Sequence, residues 1–302
     1  MSFSKLFLAV PLCLLAFLAT ASAQLHVELN KPPTSQLLYS PIVMEVRIVN
    51  QSAQRLELKD VNGKSWLRFL IKTASGVYVK PTADFLQPTL VLEPGEAVQF
   101  GFDLTPFYCI REVGSYQVRA LVKMPDMSGD IATEMVQFSV VKGQKVWAQD
   151  LIVAGDKRLC SILSFLVNER MHFYAQIESE DSNLVYVCLP LGGAMIGELP
   201  EAMLERGSFW HILFRASPNT YRYFKLNLDG RAIEQTDYAM QAESRPHISL
   251  EGGVCKVVGG INADLMRPET LSETQPPEVL RVEVTGYAPR EEQQLQQKKK
   301  KN

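Results

Sequence analysis

The sequence is poor in cysteine and has no excess of basic residues. Of its 302 residues, 5 are cysteine, and 31 Lys+Arg stand against 33 Asp+Glu. So few cysteines exclude a scaffold built mainly from disulfides, and a net charge of −2 offers no basic face for a nucleic acid. With 46% hydrophobic residues, the chain is not mostly disordered. Its length suits about two globular domains.

Sequence signatures of catalysis are also missing. The chain contains no Gly-x-Ser-x-Gly elbow, no His-Glu-x-x-His motif and no glycine-rich phosphate loop. These patterns place a nucleophile, a zinc ion or a phosphate on a defined backbone. Carboxylates are plentiful, but no spacing singles out the pair that a glycosidase needs. We therefore expect a protein that is not an enzyme, although catalysis stays open at this point.

Long apolar runs are absent after the N-terminus. The one such run, Leu6–Leu18, follows Lys5 and precedes the small residues Ala21–Ala23. This pattern predicts a secretory signal peptide over residues 1–23, cleaved before Gln24. The run is too short for a membrane span of about 20 residues. We expect an exported protein, periplasmic or extracellular, without an integral membrane segment.

The C-terminal end is polar and rich in charge. Residues 263–302 carry too few apolar side chains to offset the entropy of ordering, so we expect a disordered tail. Within it, Val279–Val284 alternates apolar and charged residues and favours a strand that adds to a sheet. Lys298–Lys301 is either an electrostatic tether to anionic polymer or lipid, or simply solvated. Without both ends, residues 24–289 keep 25 basic and 31 acidic residues, a net charge of −6.

Residues 24–142 alternate apolar and polar side chains almost throughout. Period-two runs are typical of strands with one buried face. About seven short strands, separated by Gly-containing turns, indicate a β-sandwich. The runs are Ile42–Val49, Trp66–Lys72, Val98–Leu104, Tyr116–Val122 and Val136–Val140.

Short motifs in this half carry a family resemblance. They are Asn50-Gln51-Ser52, Gly76, Leu92-Glu93-Pro94-Gly95 and Val113-Gly114-Ser115-Tyr116. Their order resembles the immunoglobulin-like domains of bacterial exported proteins and is similar to proteinase-inhibitor-type domains. The resemblance implies an immunoglobulin-like β-sandwich with a tyrosine corner at Tyr116, whose hydroxyl bonds the backbone. It implies no inhibitory activity, because fold does not determine function.

Residues 143–262 also favour strands, but with a different organisation. The turn signals predict hairpins at Glu180–Asn183, Pro218-Asn219, Asp229-Gly230 and Gly252-Gly253. Asp229-Gly230 is the strongest of them, because tight hairpin turns need a positive φ. Glu198–Arg206, with Pro200 near its start, is the single stretch that favours a helix.

An internal repeat indicates how this half is built. Leu184–Ile196 aligns without gaps on Tyr221–Ile233, with five of thirteen residues identical. His172, His211 and His247 open successive copies, 39 and 36 residues apart, which is the length of a β-propeller blade. The fold class we expect is therefore all-β: an immunoglobulin-like β-sandwich followed by an antiparallel β-meander of about three propeller-blade-like repeats. Three blades do not close a ring, so a partial meander or a dimer that shares closure is expected.

The repeated histidines are candidate metal ligands. If His172, His211 and His247 occupy equivalent points of successive sheets, their imidazoles could converge on one zinc ion with an open fourth position. That arrangement would suit a metal-dependent hydrolase, the alternative function. The competing interpretation is a strand-end residue that the repeat reproduces without convergence. Apart from zinc, no cofactor is expected.

Cysteines and aromatics give two further hypotheses. Cys109, Cys160, Cys188 and Cys255 are either paired or buried as free thiols. Four aromatic residues could form a platform for a sugar or peptide, or belong to the core; they are Tyr174, Trp210, Tyr221 and Tyr223. We expect a non-catalytic binding or assembly protein of the cell envelope. Its partner would be an envelope protein or a glycan. The sequence leaves open whether the protein forms oligomers.

Overall fold

A computed structural model describes residues 25–266, except 31, 84–85, 125–128, 154, 181–183, 206–208 and 242–243. Strands and turns make up this part of the chain, with one 3₁₀ turn at Ala263–Met266 and no α-helix. The prediction of an all-β protein is therefore confirmed. No helix in the described ranges has the length and hydrophobicity of a membrane span. The predicted signal peptide and almost all of the predicted tail lie outside the described residues.

Eleven strands are described before residue 142. They are β1 (Leu25–Leu29), β2 (Ser35–Leu37), β3 (Val43–Asn50), β4 (Leu56–Leu58), β5 (Leu67–Thr73), β6 (Tyr78–Val79), β7 (Leu90–Leu92), β8 (Ala97–Asp103), β9 (Gly114–Lys123), β10 (Asp130–Ala132) and β11 (Val136–Val141). The sheets have the orders β1-β3-β8, β2-β11-β9-β5-β6 with β10 on β9, and β4-β7. Alternation predicted the buried faces: on β3, Met44, Val46 and Ile48 are fully buried.

The predicted hydrogen bond of a tyrosine corner is present. The Tyr116 hydroxyl donates to the backbone oxygen of Glu112 at 2.9 Å, four residues upstream and just before β9. The Tyr116 ring stacks on Phe138 with centroids 5.6 Å apart. This contact fixes the entry into β9.

The second half contains eleven more strands. They are β12 (Gln144–Val153), β13 (Asp156–Val167), β14 (Arg170–Ser179), β15 (Val185–Gly193), β16 (Glu201–Leu204), β17 (Phe209–Ser217), β18 (Thr220–Asn227), β19 (Ala232–Ala239), β20 (His247–Glu251), β21 (Val254–Val258) and β22 (Ile261–Asn262). We call β12-β13-β14-β15 the β12 sheet, and β16-β17-β18-β19-β22 the β17 sheet. In each, four sequential strands form an antiparallel meander, as in a propeller blade.

Three of the four predicted hairpins are confirmed. Pro218-Asn219 joins β17 to β18, Asp229-Gly230 joins β18 to β19, and Gly252-Gly253 joins β20 to β21. Gly230 has φ +81, and a Cβ there would lie 2.0 Å from Val187 Cγ1, so both backbone and packing require glycine. β14 and β15 also pair antiparallel, but residues 181–183 between them lie outside the described residues.

The prediction of a helix at Glu198–Arg206 is wrong. Glu201–Leu204 is strand β16, which pairs with the first half of β17 from Leu213 back to Trp210. A nine-residue helix gains little from local propensity alone. Pairing with a buried strand satisfies the same backbone groups, so the non-local interaction decides the conformation.

The β12 and β17 sheets enclose one core. Its buried residues come from both sheets: Cys160, Ile162, Phe173, Ala175, Ile177 and Leu191 from the first, and Trp210, Ile212, Phe214, Phe224 and Leu226 from the second. Trp147 stacks on Trp210 at 5.6 Å, and Phe173 meets Phe214 edge-on at 5.3 Å. These aromatic pairs join the two sheets.

The chain divides into two compact units. One comprises the described residues of Met1–Pro32, Met44–Phe102 and Gln117–Val136; the other comprises those of Pro33–Val43, Asp103–Tyr116 and Gln137–Asn302. The domain limits predicted from the sequence, 24–142 and 143–262, stay predictions. Both the β12 and the β17 sheets belong to the second unit.

Candidate functional site

The outer face of the β17 sheet carries a buried polar cluster. We define it as Glu205, His211 and Tyr223. On β17 the side chains alternate, so that Trp210 and Ile212 enter the shared core while His211 and Leu213 lie on the opposite face. Tyr223 on β18 lies on that same outer face, and Glu205 directly follows β16. Both faces of this sheet are therefore buried.

Two hydrogen bonds connect the buried polar cluster. His211 Nδ1 lies 2.7 Å from the Tyr223 hydroxyl, and His211 Nε2 lies 3.0 Å from a carboxylate oxygen of Glu205. His211 is 1% exposed. One proton arrangement satisfies both ring nitrogens: Tyr223 donates to Nδ1 of a neutral imidazole, and Nε2–H donates to the Glu205 carboxylate.

Electrostatics favour that neutral form. Burial lowers the pKa of His211, and hydrogen bonding to Glu205 opposes this shift without reversing it. Burial also raises the pKa of the Tyr223 phenol, and the nearby Glu234 carboxylate adds to the effect. Near neutral pH, Tyr223 therefore keeps the proton that it donates. Both imidazole nitrogens and the Tyr223 hydroxyl are used within the cluster, so its chemistry is that of a structural network.

A two-stranded hairpin, β20–β21, covers this face. Ile248 and Val257 of the hairpin pack against Leu213, Tyr221 and Tyr223. The Ile248 backbone N–H donates to a Glu201 carboxylate oxygen at 3.0 Å. An isolated hairpin is marginally stable in water, so these contacts with the β17 sheet hold it in place.

The four aromatic residues predicted as a platform are all buried. Trp210 lies in the shared core, Tyr174 lies on the outer face of the β12 sheet, and Tyr221 and Tyr223 lie together under the hairpin. Their exposure is 0 to 9%, so none presents a ring face to a sugar. A binding role for them stays a prediction, and for Tyr221 and Tyr223 it requires the hairpin to move away.

The three histidines predicted as zinc ligands do not lie at equivalent points. His172 is in the third strand of the β12 sheet, His211 in the second strand of the β17 sheet, and His247 in the hairpin. The gapless alignment paired strands that differ in position, which is why that expectation was wrong. Within the described ranges no group of three or more His, Cys, Asp or Glu residues could hold a metal ion. Zinc binding stays a prediction.

The four cysteines among the described residues are free thiols. Cys160, Cys188 and Cys255 are buried and Cys109 is exposed. Burial raises the pKa of both Cys160 and Cys188 to about 12, so these two thiols stay protonated and unreactive. Of the two alternatives left open by the sequence, the structure has the unpaired one.

Two sheet edges were not recognised in the sequence. β12 pairs with β13 over ten residues but has no strand on its other side among the described residues. β19 pairs with β18 except at Ile233, where the register shifts, and it pairs with β22 only at Tyr238 and Ala239. Alternation identifies strands and their buried faces, yet it does not reveal which strand ends at an edge. Glu205 was missed for a related reason, since its partner His211 is brought near by the pairing of β16.

No protein-family model matches the chain, and a search of curated proteins found no match. Three solved structures illustrate what it is similar to. A β-glucosidase from Listeria innocua in complex with isofagomine is 17% identical over 38% of this chain and 16% of its own, with a TM-score of 0.26. A CARDB domain from Pyrococcus furiosus in complex with di-metal ions is 19% identical over 39% of this chain and 87% of its own, with a TM-score of 0.25. An alpha-2-macroglobulin fragment from Escherichia coli is 13% identical over 45% of this chain and 20% of its own, with a TM-score of 0.29. The chain thus spans about a sixth of the β-glucosidase. At such TM-scores these likenesses carry no argument about function.

Proposed function

We propose that this chain is an exported, non-catalytic binding or assembly protein of the cell envelope, which takes an extended polypeptide segment onto the edge of β12. The observation that carries the proposal is that no described strand pairs with the outer side of Gln144–Val153. An unpaired edge strand offers a row of backbone donors and acceptors to an added strand. Export is supported by the sequence of residues 1–23, and the Tyr116 hydrogen bond supports an immunoglobulin-like sandwich in the first half.

The edge of β12 lacks the protection that edge strands usually have. Its only register shift lies between Lys145 and Trp147, so Ala148–Val153 continues in regular pairing. Lysines, prolines and bulges are the usual means of blocking an edge. Lys145 and the shift are confined to the start of β12, which leaves six residues regularly paired and proline-free.

The opposite edge of the same sheet is protected. β15 contains Pro190, which has no N–H to offer an added strand. The Tyr186 ring is held under the Arg158 guanidinium at 4.3 Å, and its hydroxyl donates to Asp156 at 2.6 Å. A partner strand would have to displace this arrangement, so β12 is the edge left for binding.

Side chains on β12 indicate the chemistry of the partner. Ala148, Asp150 and Ile152 lie on one face and are exposed, with Ile152 at 75%. Trp147 and Leu151, on the other face, pack against the shared core. A complementary strand therefore carries an apolar residue beside Ile152 and a basic one beside Asp150.

Site-specific cross-linking tests the proposal. A photoreactive amino acid at residue 152 should cross-link an envelope polypeptide, and that polypeptide, once purified, should slow amide exchange in Ala148–Val153 but not in β15. Ile152→Lys should abolish its binding, because the lysine blocks the edge. Leu250→Lys, a matched change at a 56% exposed position of β20, should leave binding intact. Protection elsewhere, or equal binding by both variants, would contradict the proposal.

A further inference from the structure

β19 has a second open edge, and it lies beside the point where the described chain ends. Ala232–Asp237 has no strand on the side away from β18 among the described residues, because β22 pairs only with Tyr238 and Ala239. The first four residues of β19 are exposed, and Ile233 is 52% exposed. The register with β18 shifts at Ile233, so the regular part of this open stretch is Glu234–Asp237, four residues or about 13 Å long.

The sequence after Met266 contains a segment that is long enough to pair with this stretch. We define Glu278–Thr285 as the C-terminal segment. It reads Glu-Val-Leu-Arg-Val-Glu-Val-Thr, with five apolar or β-branched residues in strand-forming alternation. Pro276-Pro277 precedes it and Gly286 follows it. Prolines cannot continue a ladder, so they set the limit of the segment.

The connection between Met266 and Glu278 is long enough to reach β19. Its eleven residues span at most about 40 Å when extended, and about 20 Å on average for a flexible chain. β22 already runs antiparallel to the end of β19, so the chain leaves the sheet at the same edge. A linker that matches its span gives an effective concentration near millimolar, far above that of a second copy at micromolar protein.

We propose that the C-terminal segment pairs in cis with Ala232–Asp237 and closes this edge of the β17 sheet. An edge that is covered by the chain's own strand is protected from unwanted pairing. This inference goes beyond the proposed function, because it concerns another sheet and another edge. It leaves the edge of β12 free for the partner proposed above.

Hydrogen exchange of three chains tests the pairing. Chains beginning at Gln24 are compared with the native C-terminus, with Val282→Pro, and with truncation after Pro277. We expect exchange of the Glu234–Asp237 amides to be about tenfold slower in the native chain than in the other two. Gln296→Pro, outside the segment, is the matched control and should keep the protection.

Two results would overturn the inference. One is equal exchange of these amides in the native and truncated chains. The other is protection that grows with protein concentration, because this identifies a second copy as the donor. Since the readout lies in β19, its failure leaves the β12 proposal untouched, and the cross-linking experiment at residue 152 tests that proposal separately.

Discussion

The β12 and β17 sheets are built alike and covered differently. Each is a meander of four sequential strands, and the two share one core. The outer face of the β12 sheet is covered by apolar packing among Leu37, Leu163, Tyr174 and Cys188. The outer face of the β17 sheet holds the buried polar cluster under the β20–β21 hairpin. The cluster on the first face is apolar, whereas the second face contains a fully buried histidine. His172 of the β12 sheet is only partly buried, and burial lowers its pKa too.

The largest expected loss of stability comes from a substitution in the core that the two sheets share. Trp210→Ala removes a fully buried ring that stacks on Trp147 across the shared core. We expect the free energy of unfolding to fall by about 3–5 kcal/mol, measured by urea denaturation with circular dichroism. Because the core is shared, amide protection in β13 and β17 should fall in parallel. Loss confined to β17 would show that the sheets are independent.

The apolar cover is tested by Leu163→Ala. Leu163 is buried between Leu37 and Tyr174, so the change should lower the free energy of unfolding by about 2–4 kcal/mol. No titrating group is removed, so this loss should be the same at pH 5.5 and pH 7.5. A loss that varied with pH would contradict the apolar account of this face.

The polar cover is tested by removing one hydroxyl. Tyr223→Phe keeps the ring but leaves Nδ1 of buried His211 without its donor, at a cost of about 1–3 kcal/mol. Tyr221→Phe is the matched control, because its ring lies under the same hairpin but outside the cluster. Chemical denaturation measures the free energy of unfolding of both variants. Equal losses of stability in the two would mean that the hydrogen bond between Tyr223 and His211 contributes nothing.

The smallest expected effect is that the free energy of unfolding depends on pH through His211. Burial lowers the pKa of folded His211 below its unfolded value of about 6.5. The unfolded chain therefore binds more protons below pH 6.5, and stability falls as the pH drops from there, by at most about 1.4 kcal/mol per pH unit. The ionisable groups around it are Glu205, Lys225 and Glu234, with Tyr223, Tyr238 and Cys255 close by.

A substitution separates His211 from these neighbours. The amide of His211→Gln can accept from Tyr223 and donate to Glu205 without titrating. The slope of stability against pH between 5 and 7 should therefore flatten in this variant and persist in Leu163→Ala. A slope unchanged in His211→Gln would assign it to another group.

Local patterns predicted much of the fold. Alternation identified β3 and β9, turn chemistry identified the hairpin at Gly230, and the Val113–Tyr116 motif identified the Tyr116 hydrogen bond. Each of these features is determined within about ten residues of chain. For the same reason the helix at Glu198–Arg206 was a wrong prediction, since strand β16 forms only because β17 is there to pair with it.

The site was harder to predict because it depends on distant segments. Tyr221 and Tyr223 lie on a face that looks solvent-exposed until the hairpin at 247–258 covers it. His211 gains its role from Glu205 and Tyr223, whereas the repeat suggested a relation to His172 and His247. Whether a strand is central or at an edge, as for β12, is decided by the whole sheet.

One measurement tests the central claim, that β12 is the edge kept open for a partner and β19 is not. Amide exchange is followed in the native chain from Gln24, without partner, at Ala148–Val153 and at Glu234–Asp237. The account predicts fast exchange at the outward amides of β12 and slow exchange at those of β19. Slow exchange at β12, or the reverse order of the two edges, would contradict it.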